Sequence, residues 1–303
     1  MLHTEARQIA PRNARMMQVN GMLARAAAML PESLEEQFNC PVHGLQTYRT
    51  FKRVDGTYRP AYCPLCEAEK REKKNLLADV CATERARCVD LRKMLNLTRP
   101  SDFEGKTLET YVPETPEEEK NLLVATRFAK RFSIREAERV LAKESNAEGW
   151  REINAKGLNL VGTFGTGKSH LAYAILHELD AQGIPGFYAT VPDLLDILTN
   201  RFAQVDRLDA MKKLCACACL VLDEVGVQKG GNDERKLVYQ LIDGRMKNGR
   251  PTIFITNLDK AELLELLTER VMSRVRDSGY ALSFTGRNRR TSVNRVADPN
   301  ELF

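Results

Sequence analysis

"GTFGTGKS", Gly162 to Ser169, follows the apolar run "LNLV" and precedes "HLAYAILHEL", which has helical spacing. Strand, glycine loop and helix in that order form the setting in which a phosphate-binding loop works. Glycine lets the backbone come close, successive N–H groups and the helix N-terminus attract an anion, and a lysine reaches the terminal phosphates. The loop comprises Gly162, Thr163, Phe164, Gly165, Thr166 and Gly167; Lys168 supplies the cation, and Ser169 carries a hydroxyl suited to magnesium. ATP and Mg2+ are the expected ligands.

An ATPase also needs a carboxylate for the metal and a group that activates water. "CLVLDEVG" ends an apolar strand in Asp223-Glu224. Asp223 is expected to hold magnesium through water and Glu224 to polarise the attacking water. A third strand, "PTIFITN", ends in Asn257, an amide able to orient that water. Downstream, "ERVMSRVRD" brings Arg270, Arg274 and Arg276, and "FTGRNRR" brings Arg287, Arg289 and Arg290. An arginine near a γ-phosphate stabilises charge in transfer and is often supplied by a neighbouring subunit.

Composition agrees with a folded α/β protein. The 303 residues are 43% hydrophobic and 29% charged with a net charge of +5, enough for one sizeable domain plus an appendage and compatible with a polyanionic partner. No run reaches the roughly 18 apolar residues of a membrane helix, and the N-terminus lacks secretory-signal order, so a cytoplasmic location and no membrane partner are expected.

The eight cysteines fall in three clusters, and a reducing cytosol argues against a disulfide framework. Cys40-x-x-His43 and Cys63-x-x-Cys66 flank a stretch that alternates through Tyr48 to Arg53, turns at Asp55-Gly56 and returns through Tyr58 and Arg59. A β-hairpin there brings the two knuckles together as a closed tetrahedral Zn2+ site, structural because protein fills all four positions. The basic and aromatic residues of this ribbon suit single-stranded nucleic acid or an acidic protein surface, or form a solvated basic face. From Glu67 on, Leu77, Cys81, Glu84, Cys88, Leu91 and Leu95 follow a heptad seam that Pro100 ends; "PETPEEE" then opens a helix toward Arg139. Cys215, Cys217 and Cys219 alternate with alanine and read as small core residues at the start of a strand. Residues 11–30 have a soft apolar helical stripe, which either packs on the protein itself or docks a partner.

Taken together, "GTFGTGKSHLA", "LVLDEVGVQ", "RPTIFITNL", "ERVMSRVRD", "FTGRNRR" and the lead-in "RPSDFEGKTLETY" resemble the DnaC/IstB-like branch of the AAA+ ATPases, and the DnaC-type replicative helicase loaders in particular. That resemblance covers about two-thirds of the chain. It implies an AAA+ P-loop core, a parallel sheet between helices, preceded by a small zinc-ribbon and helical region. It makes Lys168 and Ser169 the Walker A residues, Asp223 and Glu224 the Walker B pair, Asn257 sensor one, Arg274 the arginine finger and Arg290 the sensor-two arginine, with Arg287 and Arg289 as neighbours that loosen the last alignment. The implied order is an N-terminal helix over 1–35 that docks a helicase, a zinc ribbon over 36–70, a connecting helix over 71–98 and the ATPase domain over 99–303. The implied partners are a DnaB-type replicative helicase, single-stranded DNA and further copies of the chain. An IstB-like helper of a DNA transposase is the alternative function. A non-hydrolysing nucleic-acid-binding module is a third, which Glu224 argues against, because a mere lock needs no group to activate water.

Overall fold

The structure is a computed structural model that describes residues 33–97, 104–200, 205–226, 231–258, 261–263 and 269–289. The helix expected over 11–30 and Arg290 lie outside these residues. The chain divides into two compact units at Lys73/Lys74.

In the first unit, strands β1 (Ser33–Cys40) and β2 (Gly44–Phe51) form an antiparallel ribbon in which Cys40 faces Gly44. The hairpin turn is therefore the Cys40-x-x-His43 knuckle itself. The alternating stretch pairs backward, onto the acidic "SLEEQFNC", rather than forward across Asp55-Gly56. That second turn does form, with the Thr57 amide bonded to Asp55 Oδ1 at 2.9 Å, but no strand returns from it. Glu35 and Glu36 explain the choice, since they stand opposite Arg49 and Tyr48. Arg49 pairs with Glu35 at 2.7 Å, and the Tyr48 hydroxyl donates to Glu36. Opposite charges and polar pairs across a ribbon stabilise its register.

The second unit is built on a five-stranded sheet of order β4-β5-β6-β3-β7, with every neighbouring pair parallel. Its strands are β3 (Gly157–Gly162), β4 (Phe187–Thr190), β5 (Leu220–Asp223), β6 (Thr252–Thr256) and β7 (Gly279–Phe284). The short, largely apolar inner strands β3, β5 and β6 follow from burial on both faces, whereas the edge strand β7 leaves Tyr280 exposed. Leu158, Leu160, Val221, Ile253 and Ile255 pack on one side against α2 (Pro116–Lys130), α3 (Phe132–Glu144) and α4 (Lys168–Ala181). Leu220, Leu222 and Phe254 pack on the other against α5 (Val191–Thr199), α6 (Arg207–Ala216), α7 (Asn232–Lys247) and α8 (Glu269–Ser278). This is the expected parallel sheet between helix layers.

Three further details differ from the sequence expectation. The helix begun by "PETPEEE" is two helices, because Arg131 breaks the run between α2 and α3. Cys215 lies in the last turn of α6 and Cys217 caps it, so β5 starts only at Leu220; Cys217 and Cys219 are buried all the same. The 32-residue α1 (Pro64–Leu95) starts inside the second knuckle, and its C-terminal half does more than connect, since Cys88, Leu91 and Leu95 belong to the core beneath β4 and β5.

Glu84, the polar member of the heptad seam, is 4% exposed. Its carboxylate accepts the Ala218 amide at 3.1 Å and pairs with Arg250 at 3.0 Å, and Arg250 also pairs with Glu136 on α3. Burial works to raise the Glu136 carboxyl, yet the hydrogen bond from Arg139 and the charges of Arg250 and Arg139 hold it below the usual range. Arg250→Met should leave two buried carboxylates without this partner and cost about 3–5 kcal/mol in a urea melt. Arg87→Met, at the more exposed edge of the same network, should cost about 1 kcal/mol or less.

Candidate nucleotide and metal sites

Gly162 closes β3 directly beside Phe284 of β7; a Cβ there would fall 2.0 Å from the Phe284 carbonyl oxygen. Gly167, at φ 95°, turns the chain into α4 as its N-cap and offers no side chain to the first-turn amides. Those amides therefore face into the loop, as an anion requires. Lys168 is 4% exposed, and its ammonium donates to the Gly162 carbonyl at 2.7 Å and to the Thr163 carbonyl. Thr166, fully buried, ties its hydroxyl to the Thr163 carbonyl at 2.9 Å and fixes the loop's curl.

β6 lies between the strand feeding this loop and the strand carrying the acidic pair, so the C-terminal ends of three strands converge on one spot. Ligands in open parallel sheets bind outside such ends. Ser169 donates to Asp223 Oδ2 at 2.9 Å, and the Tyr188 hydroxyl donates to the same oxygen at 3.0 Å. A serine that gives its proton to a carboxylate turns its lone pairs outward, so Ser169 and Asp223 together are a fitting oxygen donor set for magnesium. Burial, then the Asp223 charge, raises the Tyr188 phenol and keeps it a donor.

Glu224 is exposed and adopts φ 56°, a left-handed conformation that costs a non-glycine residue about 1–3 kcal/mol. Its amide bonds Asp223 Oδ1 at 2.7 Å. Burial, then the charges of Asp223 and Asp193, raises its carboxyl, the direction that makes a carboxylate a better proton acceptor. Asn257 is the residue after Thr256, which pairs with Val161 beside the loop, while the Thr256 hydroxyl donates to the Val225 carbonyl at 2.8 Å. Asn257 thus stands between the glycine loop and the acidic pair.

Arg274 is not part of this convergence. It lies on α8, paired with Asp243 of α7 at 3.2 Å. The adjacent Val275 carbonyl accepts from Asn159 at 2.9 Å, and Asn159 precedes Gly162 on β3 by three positions, about 10 Å back along the strand. Of the late arginines, Arg289 reaches the loop: its amide donates to the Gly165 carbonyl at 2.9 Å. Its guanidinium pairs with Glu118 at 2.7 Å and lies 5.0 Å from the ring centre of Tyr111. Arg287 is held away by a bidentate pair with Glu114.

Tyr111 and Glu118 carry no site signal in the sequence. Tyr111 sits under Gly167, where an added Cβ would approach its ring to 3.1 Å. "TPEEE" did signal a helix start, and Thr115 does cap the Glu118 amide at 3.2 Å. Nothing local reveals that the Glu118 carboxylate holds an arginine 171 positions away.

In the first unit, Cys40, His43, Cys63 and Cys66 place one ligand atom each within 4.8 Å of one another. His43 Nδ1 lies 3.7, 3.5 and 3.3 Å from the sulfurs of Cys40, Cys63 and Cys66, and the Cys40 and Cys66 sulfurs are 3.6 Å apart. A tetrahedron with Zn–S and Zn–N bonds of about 2.3 and 2.1 Å has edges of roughly 3.5–3.8 Å, so the set fits a zinc-sized ion. The backbone amides of His43 and Val42 pull the Cys40 thiol down to about 6, toward the thiolate a metal binds. Glu69 takes the other ring nitrogen of His43 at 3.1 Å, the outer carboxylate that orients a ligating imidazole.

Residues 132–275 match the family described as IstB-like ATP binding protein. That span contains the glycine loop, Asp223, Glu224, Asn257 and Arg274. Over 117 residues the chain is 37% identical to the replicative helicase loader DnaC of Escherichia coli (strain K12), covering 38% of this chain and 48% of that protein. Over 138 residues it is 32% identical to the replicative helicase loader DnaC of Buchnera aphidicola subsp. Acyrthosiphon pisum, covering 45% and 56%. The chain thus spans about half the length of the curated relatives it matches. Among solved structures it is similar to the crystal structure of the DnaC helicase loader, with a TM-score of 0.49, 26% identity and coverage of 61% of this chain and 100% of that one.

Proposed function

We propose that this chain, whose residues 132–275 match the family described as IstB-like ATP binding protein, is an AAA+ ATPase of the IstB/DnaC type that uses ATP to deliver a replicative helicase of the DnaB type to single-stranded DNA. The observation that carries this reading is that the 37% identity to a protein named replicative helicase loader accompanies a glycine loop, an acidic pair and Asn257 at the ends of three neighbouring strands. Lys168 would hold the β- and γ-phosphates, Ser169 and Asp223 the magnesium, Glu224 the attacking water and Asn257 its orientation. Magnesium would neutralise phosphate charge as transfer proceeds. Arg274, on α8 and paired with Asp243 of α7 rather than with the loop, is better placed to serve a neighbouring copy's nucleotide, which supports self-assembly through the ATPase domains. Arg289, whose amide bonds the Gly165 carbonyl of the loop, fits the sensor-two role better than Arg287; Arg290 remains the family-based assignment.

Zn2+ would close the Cys40–His43–Cys63–Cys66 cluster and hold a ribbon too small to fold on its own core. Metal analysis should find about one equivalent of zinc in the wild type and none in Cys63→Ser/Cys66→Ser; unchanged zinc in the double variant would refute the ligand set.

The alternative is a helper of a DNA transposase, favoured by the IstB description of the matched family. Affinity capture from the host with the full chain and ATP separates the two. Recovery of a hexameric helicase supports loading, and recovery of a transposase in its place overturns it.

A further inference from the structure

The Tyr188 hydroxyl has no part in the chemistry described so far, yet it touches the carboxylate on which magnesium depends. We infer that Tyr188 is a positioning residue for Asp223, locking the carboxylate so that the lone pair left on Oδ1 would be available to a magnesium ion or its water. This rests on the reading of the glycine loop as an ATP–Mg2+ site.

A carboxylate offers about four lone-pair directions. Oδ2 accepts from Ser169 at 2.9 Å and from Tyr188 at 3.0 Å, and Oδ1 accepts the Glu224 amide at 2.7 Å. Three directions are taken, and the fourth lies on Oδ1. Removing the phenol would free Oδ2 on one side and let the carboxylate plane swing about Cβ–Cγ, a torsion with a broad energy minimum.

The phenol is itself held. Tyr188 lies on β4, next to β5, with its ring centre 4.7 Å from that of Tyr173 at 43°. Tyr173 follows Ser169 by four positions on α4, so both share one helix face. The hydroxyl pair and the ring pair thus stack in two tiers between α4 and the β4–β5 edge: Ser169 with Asp223, and Tyr173 with Tyr188. Aromatic packing of this kind fixes a ring's tilt and hence the aim of its hydroxyl. From sequence alone, Tyr188 in "GFYAT" is one more strand aromatic.

Outer-sphere partners of metal ligands typically change metal affinity by 10–100-fold. The test is Tyr188→Phe, which keeps the ring against Tyr173 and removes only the hydroxyl. Binding of a fluorescent ATP analogue is titrated against Mg2+, and separately measured in EDTA. The inference expects the Mg2+ midpoint to rise about tenfold or more while the affinity in EDTA stays within about twofold of wild type. An unmoved midpoint overturns it. So does a parallel loss of binding in EDTA, which would mark general damage to the fold rather than a misplaced carboxylate. Lys168→Ala tests the premise separately: if it and the wild type bind the analogue equally, the ATP site itself is wrong.

Discussion

Glu224→Gln should bind ATP with near wild-type affinity and lose hydrolysis by about a hundredfold to ten-thousandfold, the contribution typical of a positioned general base. The amide has the carboxylate's shape and leaves the Asp223–Ser169 contact at 2.9 Å intact, so magnesium and phosphate binding should persist while the proton acceptor is gone. Lys168→Ala should do the reverse and weaken nucleotide binding itself, because it removes the cation at the mouth of the loop. Filter binding and single-turnover hydrolysis on the two variants check the assignment; equal loss of binding in both would contradict it. The strained φ of 56° at Glu224 gives a reason to expect function there, since strain of that size persists where the fold holds a residue in place against local preference.

Arg274→Ala should likewise keep ATP binding and lose hydrolysis, here by about a thousandfold or more, as for arginine fingers generally. Arg274 is about 40% exposed and paired with the buried Asp243, which also pairs with Lys247 at 2.6 Å and so keeps a cation if Arg274 turns to a neighbour's phosphate. Mixing separates action across subunits from action within one. A Lys168→Ala subunit has an empty site but a good finger, an Arg274→Ala subunit has the opposite, and mixed assemblies on single-stranded DNA should regain activity at interfaces joining the two good halves. No recovery at assembling concentrations would return Arg274 to its own subunit or to a structural role.

The core of the site was legible because its chemistry is local. Strand, glycine loop and helix are contiguous, and Asp223-Glu224 ends an apolar strand, so loop and acid pair could be named before the sheet order was known. The sheet then explains their meeting, since inserting β6 between β3 and β5 also brings Asn257 to the same edge. The paired Cys/His spacing is equally local, and Cys40, His43, Cys63 and Cys66 converge. The ribbon departs from its sequence pattern for a physical reason: "SLEEQFNC" has few of the β-branched and aromatic residues that mark strands, and only its pairing with Arg49 and Tyr48 makes it one. Glu84 likewise reads as a flaw in an apolar seam until Arg250, 166 positions away, is beside it. Tyr111, Glu118 and Tyr188 act through partners distant in sequence or on adjacent strands, where periodicity carries no information.

The proposed activity is tested most directly by loading onto covalently closed single-stranded DNA, which a closed helicase ring cannot thread from an end. With the host's hexameric replicative helicase, this chain and ATP, helicase should remain on the circle after a salt wash, and Lys168→Ala should leave none above the level of helicase alone. Helicase retained equally with wild type, with Lys168→Ala and with no added chain would contradict the account.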